Sequence, residues 1–208
     1  MTPILLLVHG WGFDASFWNP LRAALGSVET VSWDLGFVAA PSRPALPEGR
    51  PVVAVGHSYG LLWLLHERPL AWQALVSING FPRFSRAPDF PDGWAPRVLD
   101  RMIGRLDDQP GQVHHQFITQ CGGKPPPVTR LDANRLKAGV QALLDWDERP
   151  AIPDLVLAGR SDPIARTALT QASFPETSIR WHEGGHLLPL EAPDWCAQQL
   201  QTLLEERS

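Results

Sequence analysis

Six short apolar runs punctuate the chain: Ile4–Val8, Thr30–Trp33, Val52–Val55, Ala74–Ile78, Leu155–Ala158 and Ser178–Trp181. Turn residues or polar clusters flank most of them, which predicts strands. Between them apolar positions fall at helical spacing, over roughly Ser16–Leu25, Tyr59–Glu67, Ile164–Ser173 and Pro193–Glu206. Asp14 or Ser16 is placed to cap the first of these helices. Strands that are apolar throughout leave no face for water, so their sheet must be covered on both sides. Alternation of strand and helix supplies that cover and predicts an α/β fold with a mostly parallel sheet.

The alternation breaks between Phe81 and Pro150. This stretch is rich in proline, arginine and aspartate and holds no convincing strand, but it carries helical patterns at Trp94–Leu106 and Leu131–Leu144. A structureless loop of that length is uncommon in a compact domain. We therefore expect a helical cap, 81–150, inserted into a single domain that spans 1–208. Pro125-Pro126-Pro127 is expected to stiffen a loop within it.

Composition narrows the function. At 208 residues, 44% apolar and with a formal net charge of −4, the chain suits a soluble globular domain and lacks the basic excess of a nucleic-acid binder. The apolar run at the N-terminus is too short for a signal peptide or a membrane span, so a cytoplasmic protein with no membrane association is expected. Cys121 and Cys196 match no metal spacing and are read as reduced thiols, with one disulfide as the alternative. Most of the nine tryptophans are expected in the core, others along an apolar pocket.

Gly56-His57-Ser58-Tyr59-Gly60 sits where a strand pattern gives way to a helix pattern. This is G-x-S-x-G in the context that makes it a nucleophile elbow: a serine on a strained turn, with glycines so that neighbouring backbone can close around it. A serine nucleophile needs a base and an acid to orient that base, in the chain order serine, acid, histidine. Asp162, in Gly159-Arg160-Ser161-Asp162-Pro163, and His186, in Glu183-Gly184-Gly185-His186, both follow predicted strands. They fall where strand ends converge above a parallel sheet. Asp162 has the alternative of capping the next helix; Glu183 and Asp154 are weaker rivals as acid, and His182, His57 and His9 compete as base. The loop Val8-His9-Gly10-Trp11-Gly12 follows the first strand, where the Trp11 amide could join the Tyr59 amide in an oxyanion hole. His9 is expected to brace that loop. The Trp11 and Tyr59 rings either wall an acyl pocket or pack in the core.

In this order HGWG, GHSYG, GRSDPI and GGHLLPLEAPDW resemble the α/β-hydrolase superfamily over nearly the whole chain, least in the cap. Within it, HGWG, the Phe-Ile-Thr-Gln stretch at 117–120 and the overall layout are similar to the pimeloyl-acyl-carrier-protein methyl ester esterases of biotin synthesis. The resemblance implies a minimal α/β-hydrolase fold with Ser58, Asp162 and His186 as triad. It also implies Trp11 and Tyr59 at the oxyanion hole, Phe117 and Gln120 bordering the acyl site, and a methyl ester on a carrier-bound dicarboxylic acyl chain as substrate. The chain starts at what would be the family's third strand, and the sequence after Trp33, Asp-Leu-Gly-Phe-Val-Ala-Ala-Pro, lacks the proline and later glycine of a common family turn.

Arg97, Arg101 and Arg105 recur every fourth residue and so share one face of a cap helix, beside an apolar stripe of Val98, Met102 and Leu106. From Phe81 to Asp145 nine Lys/Arg face seven Asp/Glu, so the cap is positive on an otherwise acidic chain. The arginine row reads either as a docking surface for acyl carrier protein or as a solvated helix face. His114-His115 have no acidic or cysteine partner at ligand spacing and read as surface or pocket-rim residues. No phosphate loop or dinucleotide fingerprint is present, and we expect a monomer without metal or cofactor. The alternatives carried forward are a general carboxylesterase or thioesterase acting on small free substrates, and a non-catalytic binding protein on the same fold.

Overall fold

In the computed structural model, which describes residues 3–124 and 130–207, the six apolar runs form one sheet. Its strands are β1 (Ile4–Val8), β2 (Thr30–Trp33), β3 (Val52–His57), β4 (Ala74–Ile78), β5 (Leu155–Gly159) and β6 (Ile179–His182). They lie in the order β2-β1-β3-β4-β5-β6, and every neighbouring pair is parallel. The four inner strands are buried along their whole length, while β2 and β6 at the edges are mostly half-buried. Continuous apolar runs thus mark the strands with neighbours on both sides.

Helices α1 (Asn19–Leu25), α2 (Tyr59–Glu67), α6 (Thr167–Ser173), α7 (Leu188–Glu191) and α8 (Pro193–Glu206) flank the sheet. Two starts differ from the sequence pattern, each for a local reason. The Asp14 carboxylate takes the Ser16 amide at 2.8 Å and opens a 3-10 turn, Ala15–Trp18. Pro20 has no N–H to extend that turn backwards, so α1 begins only at Asn19. Likewise Asp162 holds the amides of Ile164 and Ala165 in a turn, which delays α6 to Thr167.

Between β4 and β5 lie three helices: α3 (Pro96–Leu106), α4 (Pro110–Gln120) and α5 (Ala133–Asp145). The sequence pattern anticipates α3 and α5 but not α4. The triple proline at 125–127 lies outside the described residues.

Because β1 leads outward to β2 while β3 leads the other way to β4, the sheet order reverses between β1 and β3. The loops after these two strands therefore part around a crevice at the strands' carboxyl ends, the place where such sheets hold their ligands. Leu61, Leu62 and Leu64 anchor α2 with no exposed surface. At ~1.5–3 kcal/mol for each buried side chain, they fix the helix whose first turn follows Ser58.

Candidate active site

Ser58 sits at the strand-to-helix turn with φ 53° and ψ −123°. A non-glycine residue in that region costs about 1–3 kcal/mol and persists only where packing imposes it. The two glycines of the motif show how tight that packing is. A Cβ on Gly56 would lie 2.4 Å from the Leu61 Cα, and one on Gly60 would lie 2.2 Å from the Val8 carbonyl oxygen. Close approach of α2 to β1 and β3 thus holds the serine up into the crevice.

Within reach of that serine is a continuous hydrogen-bonded chain. The Ser58 hydroxyl donates to Nε2 of His186 at 3.0 Å, and Nδ1–H of His186 donates to Oδ2 of Asp162 at 2.7 Å. Asp162 accepts only, which puts the ring proton on Nδ1 and leaves Nε2 free to take a proton from serine. All three side chains are buried. Oδ1 of Asp162 meanwhile accepts the Ile164 and Ala165 amides at 2.7 and 2.9 Å. Asp162 thus does not cap α6, whose N-cap is Arg166: one carboxylate oxygen closes the turn that precedes the helix and the other faces the histidine.

The rival residues are otherwise engaged. Glu183 pairs with Arg160 at the surface. Asp154 pairs with Arg207 and accepts the Leu75 amide. His182 accepts the Gly184 amide through Nδ1 at 2.9 Å. His57 is fully buried, and Nε2 donates to the His186 carbonyl at 2.9 Å. Burial, and secondarily the neighbouring His186, holds the His57 imidazole well below its ordinary pKa.

Asn79, just past β4, is a site residue that the motifs did not reveal. It adopts φ 48°, a left-handed conformation that asparagine tolerates better than most residues. Its side-chain amide donates to the carbonyls of Gly185 and His186 at 2.9 and 2.8 Å, and its Oδ1 accepts the Gly159 amide at 2.8 Å. One side chain thus ties the loop of His186 to the end of β5, from which the chain runs on to Asp162.

The loop after β1 lies beside the elbow. His9 accepts the Leu35 amide at Nε2 (3.0 Å), so its proton is on Nδ1, which donates to the Gly10 carbonyl at 2.9 Å. His9 therefore braces the loop. The amides of Trp11 and Tyr59 donate to no acceptor among the described residues, and Tyr59 opens α2, where helix N–H groups are unsatisfied and the dipole favours negative charge. The Trp11 ring is buried; its Nε1–H donates to the Leu136 carbonyl at 2.8 Å, and it meets Phe117 edge-on at 4.9 Å.

Trp11 and Phe117 also line a narrow apolar chamber with Trp94, Leu99, Met102 and Ile164, about 30 Å³ in volume, with Gln120 at its edge. Val98, Met102, Phe117 and Gln120 are shared with an outer mouth of about 170 Å³, to which Arg101, Arg105 and Gln116 contribute. Arg97 lies exposed one turn before Arg101 on α3. The Tyr59 ring points away, into a different cleft of about 240 Å³ with Trp63, Trp146 and Arg43. There Arg43 already covers the Trp63 ring and His66 stacks on Trp146. The Tyr59 ring therefore does not line the chamber beside Trp11.

His114 corrects the sequence reading. It is buried rather than at a rim, and Nε2–H donates to the Gly12 carbonyl at 2.7 Å; only His115 is exposed. Among the described residues no group of three His, Cys, Asp or Glu is placed to hold a metal ion, and no helix is long and apolar enough to cross a membrane.

No family model matches the chain. A curated pimeloyl-acyl-carrier-protein methyl ester esterase of Legionella pneumophila (strain Corby) is 30% identical over 202 residues, spanning 82% of this chain and 82% of its own length. Among solved structures, an esterase from Exiguobacterium antarcticum superposes with TM-score 0.78 at 14% identity, covering 98% of this chain and 92% of its own. A hydrolase from Pseudomonas aeruginosa PA01 superposes with TM-score 0.76 at 19% identity, covering 98% and 90%. These two solved structures share the fold.

Proposed function

The chain is an ester hydrolase of the α/β-hydrolase fold and belongs to the family of the pimeloyl-acyl-carrier-protein methyl ester esterases, and from that premise we propose that it cleaves the methyl ester of a carrier-bound dicarboxylic acyl chain with Ser58, His186 and Asp162. The Ser58–His186–Asp162 hydrogen-bond chain at the switch point of the sheet carries this reading.

Nε2 of His186 takes the hydroxyl proton as Ser58 Oγ attacks the ester carbonyl, and Asp162 stabilises the imidazolium. The carbonyl oxygen, now an anion, is received by the Trp11 and Tyr59 amides. As the tetrahedral intermediate collapses, the C–OCH3 bond breaks and His186 returns its proton to the departing methoxide, releasing methanol. A water that gives its proton to His186 then attacks the acyl-enzyme. The free acid leaves and Ser58 is regenerated.

The acyl chain lies against Phe117 and Met102, with Gln120 at the edge. Arg97, Arg101 and Arg105 on α3 face the carrier, whose acidic surface and phosphate suit guanidinium groups. The family relatives' named substrate supports the carrier-bound ester.

The test compares turnover of pimeloyl-carrier-protein methyl ester with free dimethyl pimelate by mass spectrometry, with Ser58→Ala as blank. A strong preference for the carrier-bound ester supports the full reading. Equal turnover reduces it to a general carboxylesterase. Turnover undiminished in Ser58→Ala removes the serine mechanism altogether.

A further inference from the structure

We infer that His114 is a positioning residue, a tether that keeps the oxyanion loop in register with the cap while an acyl chain enters between α3 and α4. The inference rests on the serine-esterase reading and adds to it a dependence of catalysis on the acyl group.

The loop that presents the Trp11 amide is held from two sides. On the side of the sheet, His9 fixes the Gly10 carbonyl, and the His57 ring packs so closely under Gly10 that a Cβ there would lie 2.8 Å from its Nδ1. On the side of the cap there are two further holds. The Trp11 indole donates to Leu136 of α5, and Gly139 of α5 makes room for that ring, since a Cβ would lie 2.6 Å from the indole Cδ1. From α4, His114 donates to the Gly12 carbonyl at 2.7 Å. Gly12 has φ 79°, and a Cβ on it would stand 3.1 Å from the His114 ring. Glycine therefore supplies both the turn and the space for this bond. The Trp11 amide lies between the two carbonyls, Gly10 and Gly12, that these histidines grip.

Helix α4 is also a wall of the acyl passage. Phe117 lies one turn beyond His114, touches Trp11 and lines both the inner chamber and the outer mouth; Val113 and Gln116 line the mouth as well. The inner chamber of about 30 Å³ has room for a few water molecules and not for a chain of several methylenes. An acyl chain of several methylenes therefore enters only by turning Met102 and Phe117 aside or by moving α4 away from α3. Either movement disturbs the Phe117–Trp11 contact. The His114–Gly12 bond survives the turning of Phe117 and resists the movement of α4, so it keeps the Trp11 amide aimed while the passage is filled. Burial, offset in part by the bond to Gly12, holds the His114 imidazole below its ordinary pKa, consistent with a neutral ring donating through Nε2.

Two polar substitutions separate this role from a general loss of structure. In His114→Gln the side-chain amide reaches the Gly12 carbonyl, whereas in His114→Asn it is too short. Both variants are compared with wild type on an acetyl ester and a pimeloyl ester of the same alcohol, and with a trifluoromethyl ketone of pimeloyl length as oxyanion mimic. An oxyanion donor lost outright costs about 10²–10³-fold, and one merely misplaced costs less. For His114→Asn we expect kcat on the pimeloyl ester to fall roughly 10–100-fold with KM within about twofold. The ketone weakens by the same factor, the acetyl ester loses markedly less, and His114→Gln recovers most of the loss. Equal losses on both esters, a loss confined to KM, or no rescue by glutamine would overturn the tether. Ser58 labelling by a fluorophosphonate in the same samples reports on the underlying reading: wild type that folds but neither labels nor turns over removes the serine mechanism, and the tether with it.

Discussion

The side-chain amide of Asn79 donates to the backbone carbonyl of His186 at 2.8 Å, the carbonyl that also accepts the ring of His57. The histidine backbone is thus held by two residues at the ends of β4 and β3, while its ring is left to engage Ser58 and Asp162. We expect Asn79→Asp, which cannot donate to the Gly185 and His186 carbonyls, to lower kcat about 10- to 100-fold at nearly constant KM, since misplacement of about 1 Å is that costly. Stability should fall by ~1–3 kcal/mol, since a carboxylate would face the Gly185 carbonyl, left without this donor, and the His186 carbonyl, left with His57 alone. Asn79→Asp with unchanged kcat would show that the loop holds His186 unaided.

Gly60 separates α2 from β1 by less than the width of a methyl group: a Cβ would stand 2.2 Å from Val8 O and 2.6 Å from His9 O. These contacts are backbone atoms, so no side chain can turn away to relieve them. Gly60→Ala should fail to yield a stable fold, or cost more than the ~1–3 kcal/mol typical of overpacking, as read by urea denaturation. Gly104→Ala is the control: nothing lies within 4 Å of a Cβ there, and alanine is the better helix former by about 1 kcal/mol. A Gly60→Ala variant as stable as wild type would contradict the packing described at the elbow.

These two residues show what the sequence discloses and what it withholds. Gly60 belongs to a local motif, and G-x-S-x-G between a strand pattern and a helix pattern points to Ser58 with few residues needed. Acid and histidine follow because chain order and strand ends confine them. Asn79 and His114 lack any such frame. Each is defined by backbone it meets far along the chain: Gly159, Gly185 and His186 for the first, Gly12 for the second. Helix α4 stays hidden for a related reason. Its buried residues are Val113, His114 and Ile118, so a histidine fills part of the inward face and the apolar period is broken. No side chain caps its start either, so Pro110 at the first position and Gly122 just past the end mark the helix without a clean apolar period between them.

Acidification should destabilise the fold beginning near neutrality. Burial, with His186 in second place, lowers the pKa of His57, and burial lowers that of His114. Both are neutral in the fold at pH values where imidazoles of the unfolded chain, titrating near 6.5, take up protons. The unfolded state then binds more protons, so stability rises with pH across that window. It is fully present above the unfolded value and is lost as pH falls below it, at up to about 1.4 kcal/mol per pH unit for each group. Urea midpoints at pH 7.5, 6.5 and 5.5 should decline, and His114→Gln should decline less steeply. A midpoint flat over this range would mean that neither ring is held neutral.

Both cysteines should be silent in the native state. Burial pushes the Cys196 thiol up to about 12, and burial, with Asp162 adding to it, pushes the Cys121 thiol upward too. The thiolate is the reactive form, so native protein at pH 8 should consume almost no thiol reagent over minutes, and urea should release two thiols per chain. One thiol titrating quickly under native conditions would place that residue at the surface.

Arg105 is held without being neutralised. Its guanidinium donates to the side-chain carbonyls of Gln116, Gln112 and Gln109 at 2.9, 3.1 and 3.4 Å, so three uncharged acceptors orient it at the rim of the outer mouth. A carboxylate in that place would cancel the field that an anionic carrier would meet, whereas glutamine fixes the direction and leaves the charge. If the carrier docks there, reversing the charge acts on encounter rather than on chemistry. Arg105→Glu should raise KM for the carrier-bound ester at least about tenfold at low salt and leave kcat and the turnover of free dimethyl pimelate within about twofold. Because exposed charges are screened over about 10 Å at 0.1 M ionic strength, wild-type KM for the carrier-bound ester should climb with salt and converge on that of the variant. Parallel salt curves for both proteins would assign the arginine row to a solvated helix face, and the carrier would have to approach the mouth from another side.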